Sequence, residues 1–221
     1  MKKTLQTTII LVIIFLSSNL FGQETPKTYL DPVLNLVGTN FNYGNANSSL
    51  KDYKKSVLGA QVGVTFQAGI TPAFSLVSEF YFMMKGGKLN VNNPLTTNER
   101  TLRLYTLELP VLARFHFGNA YANAGPSIAY NLNGTKKIND VSTHVSFTNS
   151  GEAFKRLDAG VQVGGGYMFP MGQKRLALDI RYCYGLTNIS TDKELYNRSL
   201  IVSIHFSKPW RSNPLAKNRN L

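Results

Sequence analysis

Between residues 33 and 207 the chain keeps returning to one pattern, an apolar residue at every second position. The stretch from Leu176 to Leu186 is the clearest case. Leu176, Leu178, Ile180, Tyr182, Tyr184 and Leu186 alternate with Ala177, Asp179, Arg181, Cys183 and Gly185. A period of two marks a β-strand with two unlike faces. Eight such segments are legible, near residues 33–43, 57–69, 74–85, 102–117, 120–132, 154–169, 176–186 and 199–207. No helical periodicity competes with them. Their connections alternate in length. Ile70-Thr71-Pro72-Ala73, Gly118-Asn119 and Pro170-Met171-Gly172-Gln173 are short, and Gly118-Asn119 supplies the positive φ of a tight hairpin. The connections near 44–56, 86–100, 133–153 and 188–197 are long and polar. Long–short alternation implies antiparallel neighbours with all long loops at one end.

Two all-β architectures satisfy this pattern. A soluble barrel of the lipocalin kind turns its apolar face inward. A transmembrane barrel turns it outward, with short inner turns and long outer loops. The polar face decides between them. It carries mostly Gly, Ala, Ser, Gln and Asn, as in Gly59, Gln61, Gly63, Thr65 and Gln67, where a water-facing sheet would carry many charges. Small residues suit the narrow lumen of eight strands. The other face is bulky, and Tyr105, Phe115, Phe117, Tyr130, Tyr167, Phe169 and Tyr184 fall towards strand ends, as interfacial girdles do. The expectation is an eight-stranded antiparallel up-and-down transmembrane β-barrel.

The ends refine this. Lys2 and Lys3 precede an apolar core from Ile9 to Leu16, then Ser17-Ser18 and Gly22, the layout of a secretory signal peptide. Residues 1–22 are therefore expected to be a signal peptide, 23–207 the barrel, and 208–221 a basic periplasmic tail with Trp210 as an interface anchor. The single cysteine, Cys183, excludes an internal disulfide and a thiolate metal site. The formal net charge is +12, of which Lys2 and Lys3 supply two. In an exported chain without a nucleic-acid module, this points to anionic surfaces and away from nucleic acid. Lys51, Lys54, Lys55, Lys88, Lys136, Lys137, Lys155 and Arg156 lie in or beside the long loops, where lipopolysaccharide phosphates would meet them.

If the polar face lines a lumen, its charges need partners, because an enclosed charge is costly unless paired. Glu79, Glu108, Asp158 and Asp179 face Lys85, Arg114 and Arg181, and each arginine has the geometry to fork onto a carboxylate. The expectation is a structural polar network of Glu79, Glu108, Arg114, Asp158, Asp179 and Arg181 that plugs the barrel. The alternative places some of these groups near the mouths, in water. His116 and His205 share the polar face, Ser203 lies two positions from His205, and His144 is in a long loop, but no spacing ties a histidine to a serine and an acid. Gly164-Gly165-Gly166 lacks the helix and Lys of a phosphate loop. No cofactor, metal or enzyme activity is expected; a membrane-embedded lipid-modifying hydrolase or a small pore are the rival readings.

Five stretches, "VSEFYFMMKGGKLN", "LYTLELPVLARFHF", "YANAGPSIAYNLNG", "RLDAGVQVGGGYMF" and "LALDIRYCYGLTNI", occur in the order found in the PorT-like outer membrane β-barrel family of Bacteroidetes, which the chain resembles. The carrying positions are Glu79, Tyr81, Lys85 and Gly86; Tyr105, Glu108 or Leu109, Pro110, Leu112 and Arg114; Ala124, Gly125 and Pro126; Asp158, Gly160, Gly164 and Gly166; and Arg181, Tyr182, Gly185 and Leu186. The resemblance implies a bacterial outer-membrane barrel of about eight strands. Through PorT, it also implies a link to type IX secretion and to protein partners in a secretion or assembly complex.

Overall fold

The structure, a computed structural model, describes residues 27–148 and 152–209. The signal-peptide expectation for residues 1–22 and the tail from Trp210 onward lie outside the described residues. Eight long strands form the body: β1 (Tyr29–Asn42), β2 (Val57–Thr71), β3 (Phe74–Leu89), β4 (Arg100–Phe117), β5 (Ala120–Ile138), β6 (Leu157–Met171), β7 (Lys174–Gly185) and β8 (Tyr196–Ser207). Each pairs antiparallel with the next, and β1 closes on β8 through Leu36↔Val202 to Asn42↔Tyr196. The fold is a closed eight-stranded antiparallel barrel, as the alternation of short and long connections predicts.

The tight turns follow from local chemistry. Gly118 and Gly172 both take φ of 63°, a conformation glycine adopts without steric cost. Every strand has more than the roughly 9–11 residues a tilted strand needs to cross a bilayer, from 12 in β7 and β8 to 19 in β5.

The faces are those of a membrane barrel. Leu34 is 75 % exposed and Leu58 66 %, whereas Glu79 is 1 % exposed and Arg181 0 %. Apolar side chains of all eight strands cover the outer wall, including Phe80, Ile128, Val163, Ile180 and Ile204. A water-soluble protein does not expose an apolar surface of this extent.

The long connections depart from the expectation of polar loops. The segment between β1 and β2 folds into a 3-10 helix (Asn45–Tyr53) followed by a short strand (Lys54–Lys55) on β3. Strand β5 runs six residues past the segment read from sequence, and Val141–His144 folds back on it as a hairpin. At the other end of that connection, β6 begins at Leu157, so Phe154 belongs to the loop. These loops converge on an apolar cap of Phe41, Tyr43, Leu50, Leu89, Leu102, Leu104, Phe154, Ile189 and Leu195. Tyr43, Leu50, Phe154, Ile189 and Leu195 stand singly in the connections and carry no period, which is why alternation could not reveal the cap. Burial there pushes the Tyr43 phenol up to about 12, with Arg100 acting against the shift, so this ring enters the cap uncharged.

Candidate functional site

The inward positions of the eight strands place their polar groups at three heights in the lumen. At mid-height Arg181 is the hub. Its Nη1 donates to Glu79 Oε2 at 2.8 Å and its Nη2 to Glu79 Oε1 at 3.0 Å, a two-pronged fork, while its Nε donates to Asp179 Oδ1 at 2.8 Å. Thr65 Oγ1 adds a bond to Glu79 at 3.2 Å, and Asn123 Nδ2 one to Asp179 at 2.9 Å. Arg114, expected to fork onto a carboxylate, does otherwise. Its Nε and Nη1 donate to the amide oxygens of Asn123 (2.7 Å) and Gln67 (2.8 Å), and its Nη2 stands 3.7 Å from Asp179. The fork at Glu79 is already filled by Arg181, so Arg114 shares Asp179 at a distance and takes amides.

Nearer the long loops, Lys85 binds Glu108 directly and lies 3.7 Å from Asp158. Gln162 Nε2 donates to Glu108 and to the Tyr81 hydroxyl, both at 2.9 Å, and Gln162 Oε1 accepts from Arg181 at 3.3 Å, joining this tier to the one below. Asp158 accepts from Asn197 and Thr187, each at 2.7 Å. Nearer the short turns, Arg175 reaches Gln67 at 2.9 Å and lies 3.3 Å over the Tyr29 ring, and Arg114 lies 4.1 Å over Tyr121. Among the described residues, five buried carboxylates (Asp31, Glu79, Glu108, Asp158 and Asp179) meet four buried cations (Lys85, Arg114, Arg175 and Arg181). Near-cancellation of charge is what makes such burial tolerable.

All six residues singled out from the sequence lie inside and belong to this one connected set. Sequence reading missed Arg175, Asp31, Gln67, Asn123 and Gln162. Arg175 has the same parity as Asp179 and Arg181 and lies one step before the alternation as it was bounded. Gln67, Asn123 and Gln162 fall on the polar face of the alternation, and they carry the links between charges.

The histidines are placed differently from a hydrolase triad. His116 Nε2 is 2.8 Å from Ser75 Oγ, and the charged groups acting on it are Arg114 and Arg175, both cations. Ser203 Oγ and His205 Nε2 find no hydrogen-bond partner, so these two same-face neighbours do not form a pair. His144 is exposed on the outer hairpin. Among the described residues, no three His, Cys, Asp or Glu side chains gather to hold a metal ion.

Glu152, outside the membrane-crossing strands, ties its loop to the loop-side ends of β4 and β5. It accepts from Lys136 Nζ at 2.7 Å and Arg100 Nη2 at 3.4 Å. The hydrogen bond from Lys136 is the main cause that holds its carboxyl below the ordinary glutamate value. A depressed folded-state value means that the stabilisation is present above the ordinary glutamate range and is lost as pH falls through the lower folded value. Glu152 is largely exposed, so the contribution is under ~1 kcal/mol. A carboxyl-carbon NMR titration should show Glu152 protonating at lower pH than a model glutamate, and Lys136→Met should bring it back. A titration unchanged by that substitution would rule out the contact.

An apolar outer wall, a buried charged interior, short turns at one end and long loops at the other define an integral membrane β-barrel of the outer-membrane type. The sequence matches the family described as outer membrane protein beta-barrel domain over residues 32–191, and the chain belongs to that family. Its place is the bacterial outer membrane. No curated protein matches the sequence. Solved structures with a similar fold include OprG of Pseudomonas aeruginosa (9 % identity, TM-score 0.49, 86 % of this chain and 99 % of that one). Neisserial surface protein A is another (13 %, 0.47, 85 % and 100 %). A third is Ail, the attachment invasion locus protein of Yersinia pestis, solved with the heparin analogue sucrose octasulfate (7 %, 0.45, 83 % and 99 %). At these identities the likeness is one of fold alone.

Proposed function

We propose that this protein is a non-conducting outer-membrane barrel, PorT-like in kind, whose polar lumen is a structural plug and whose job is structural or accessory to an envelope assembly or secretion machine. The observation that carries the reading is the stacking of two seals. The Arg181–Glu79–Asp179 knot crosses the lumen at mid-height, and the apolar cap of Phe41, Leu104, Phe154, Ile189 and Leu195 covers its loop end. Two cavities at these levels, one between Lys85, Glu108 and Asp158 and one under Tyr43 and Leu102, each measure about 10 Å³, about the volume one water needs. An eight-stranded barrel has room for side chains and little else. A plugged barrel does its work through its surfaces, which suits an accessory role.

In planar bilayers the purified barrel should give no discrete current steps, and regular single-channel openings of the wild-type protein would overturn the plug. Isolation from native membranes in mild detergent should yield a stoichiometric protein complex larger than the barrel. A barrel that always runs alone would overturn the accessory role while leaving the plug intact.

A further inference from the structure

Most strand glycines here are forced by packing, and Gly38 is not. A Cβ on Gly63, Gly125, Gly160, Gly164 or Gly166 would lie within 2.0–2.7 Å of a neighbouring strand's carbonyl oxygen. On Gly38 it would meet only the Leu200 carbonyl oxygen, at 3.9 Å. Gly38 points outward from β1, where a β-branched or aromatic residue would pack better and glycine weakens the strand. The missing side chain leaves a groove of about 240 Å³ on the lipid-facing wall, lined by Gly38, Asn40, Lys54, Ser56, Tyr182, Arg198 and Leu200 among others.

The registers show that the groove is layered. Towards the long loops, Asn40 pairs with Arg198 and Arg198 with Tyr184, making one polar row across β1, β8 and β7. One step towards the membrane centre, Gly38 pairs with Leu200 and with Leu58, and Leu200 with Tyr182. Next come the exposed apolar Leu36, Val202 and Ile180. The row above is rich in donors. Arg198 lies 3.5 Å over the Tyr184 ring and spends only Nη1 on Gly185 and Asn197 carbonyls, at 2.8 and 2.7 Å, so its Nε and Nη2 remain free to donate. Asn40 uses its oxygen on the Phe41 amide, leaving its NH₂. Lys54, Ser56 and the Tyr182 hydroxyl complete the set, and no carboxylate lines the groove.

We infer that this groove is a seat for one phosphorylated glycolipid of the outer leaflet, with a lipid A phosphate on Arg198 and Lys54 and an acyl chain in the notch at Gly38. Cations above an apolar trough match a lipid with an anionic head. Adjacent strands are about 4.8 Å apart, so a donor row spanning three strands is wider than one phosphate and suits a sugar headgroup. The long-loop end of the barrel faces the leaflet that holds such lipids. The inference rests on the outer-membrane placement and is independent of whether the lumen conducts.

Native mass spectrometry of the full chain in detergent, with bisphosphorylated lipid A, the same lipid with its phosphates removed, and phosphatidylglycerol as probes, tests it. The wild type should retain one bisphosphorylated lipid A. Arg198→Gln, Gly38→Leu and removal of the phosphates should each weaken retention about tenfold, the scale of one charge-assisted contact. Gly38→Leu fills the groove where the wall has room, so its unfolding midpoint should match the wild type's, separating lost binding from lost fold. Lys174→Gln, at the short-turn end of β7, should leave retention unchanged. Equal retention by Gly38→Leu and wild type, phosphatidylglycerol held as tightly as lipid A, or an equal loss in the Lys174 variant would overturn the proposal.

Discussion

Arg181→Met should be the most damaging single substitution of a lumen charge, costing ~3–5 kcal/mol, because it strips the partner from two carboxylates that stay buried. Glu79 and Asp179 are each 1 % exposed, and Arg181 supplies three of their hydrogen bonds. Water cannot replace it at mid-height, and the nearest remaining cation, Arg114, is 3.7 Å from Asp179 and committed to Asn123 and Gln67. The measurement is the urea midpoint of the barrel refolded in lipid vesicles, followed by far-ultraviolet circular dichroism. The triple variant Arg181→Met, Glu79→Gln, Asp179→Asn should recover much of the loss, since it removes the orphaned charges with the partner. An Arg181→Met barrel as stable as the wild type would mean that the knot does not hold the strands.

Gly164→Ala should cost at least ~1–3 kcal/mol through overpacking, although it adds a single methyl group. The new Cβ would lie 2.2 Å from the Ile180 carbonyl oxygen and 2.6 Å from Arg181 Cγ. Both are fixed: the first is β7 backbone in register with β6, and the second belongs to the hub side chain. Relief requires β6 and β7 to separate, which a closed barrel resists on every strand. Gly38→Ala, a control with the same chemical change, should be neutral or slightly stabilising, because its Cβ enters open space and reduces the freedom of the unfolded chain. Comparing the yield of folded barrel and the urea midpoints of the two variants checks this. Equal midpoints would show that the lumen is looser than the distances imply.

The pairing of Arg181 with Asp179 shows how far alternation reads and where it stops. Positions 179 and 181 have the same parity, so any strand through them puts both side chains on one face, and their bond follows from local geometry. The fork onto Glu79 does not, because β3 and β7 are separated by three strands on either path around the barrel. Arg114 makes the same point from the other side. Its type and parity predicted a carboxylate fork, and the structure gives it amides because another arginine occupies the nearest acid. Phe154 borders β6 in sequence without belonging to it, and only the packing of Leu50, Ile189 and Leu195 around it reveals a cap.

By itself, the sequence determined the eight strands, their antiparallel order, the end that carries the long loops, and which face meets lipid. These are properties of residues two apart or of connections a few residues long, and a period of two with small polar residues on one face has no other stable solution in a chain this size. Only the tertiary structure decided which lumen charge meets which, how the loops close over one end, and that the missing side chain of Gly38 opens a groove beside Arg198. Each of these depends on closure of the ring and on strand register, which bring together residues more than a hundred positions apart, where no local pattern reaches.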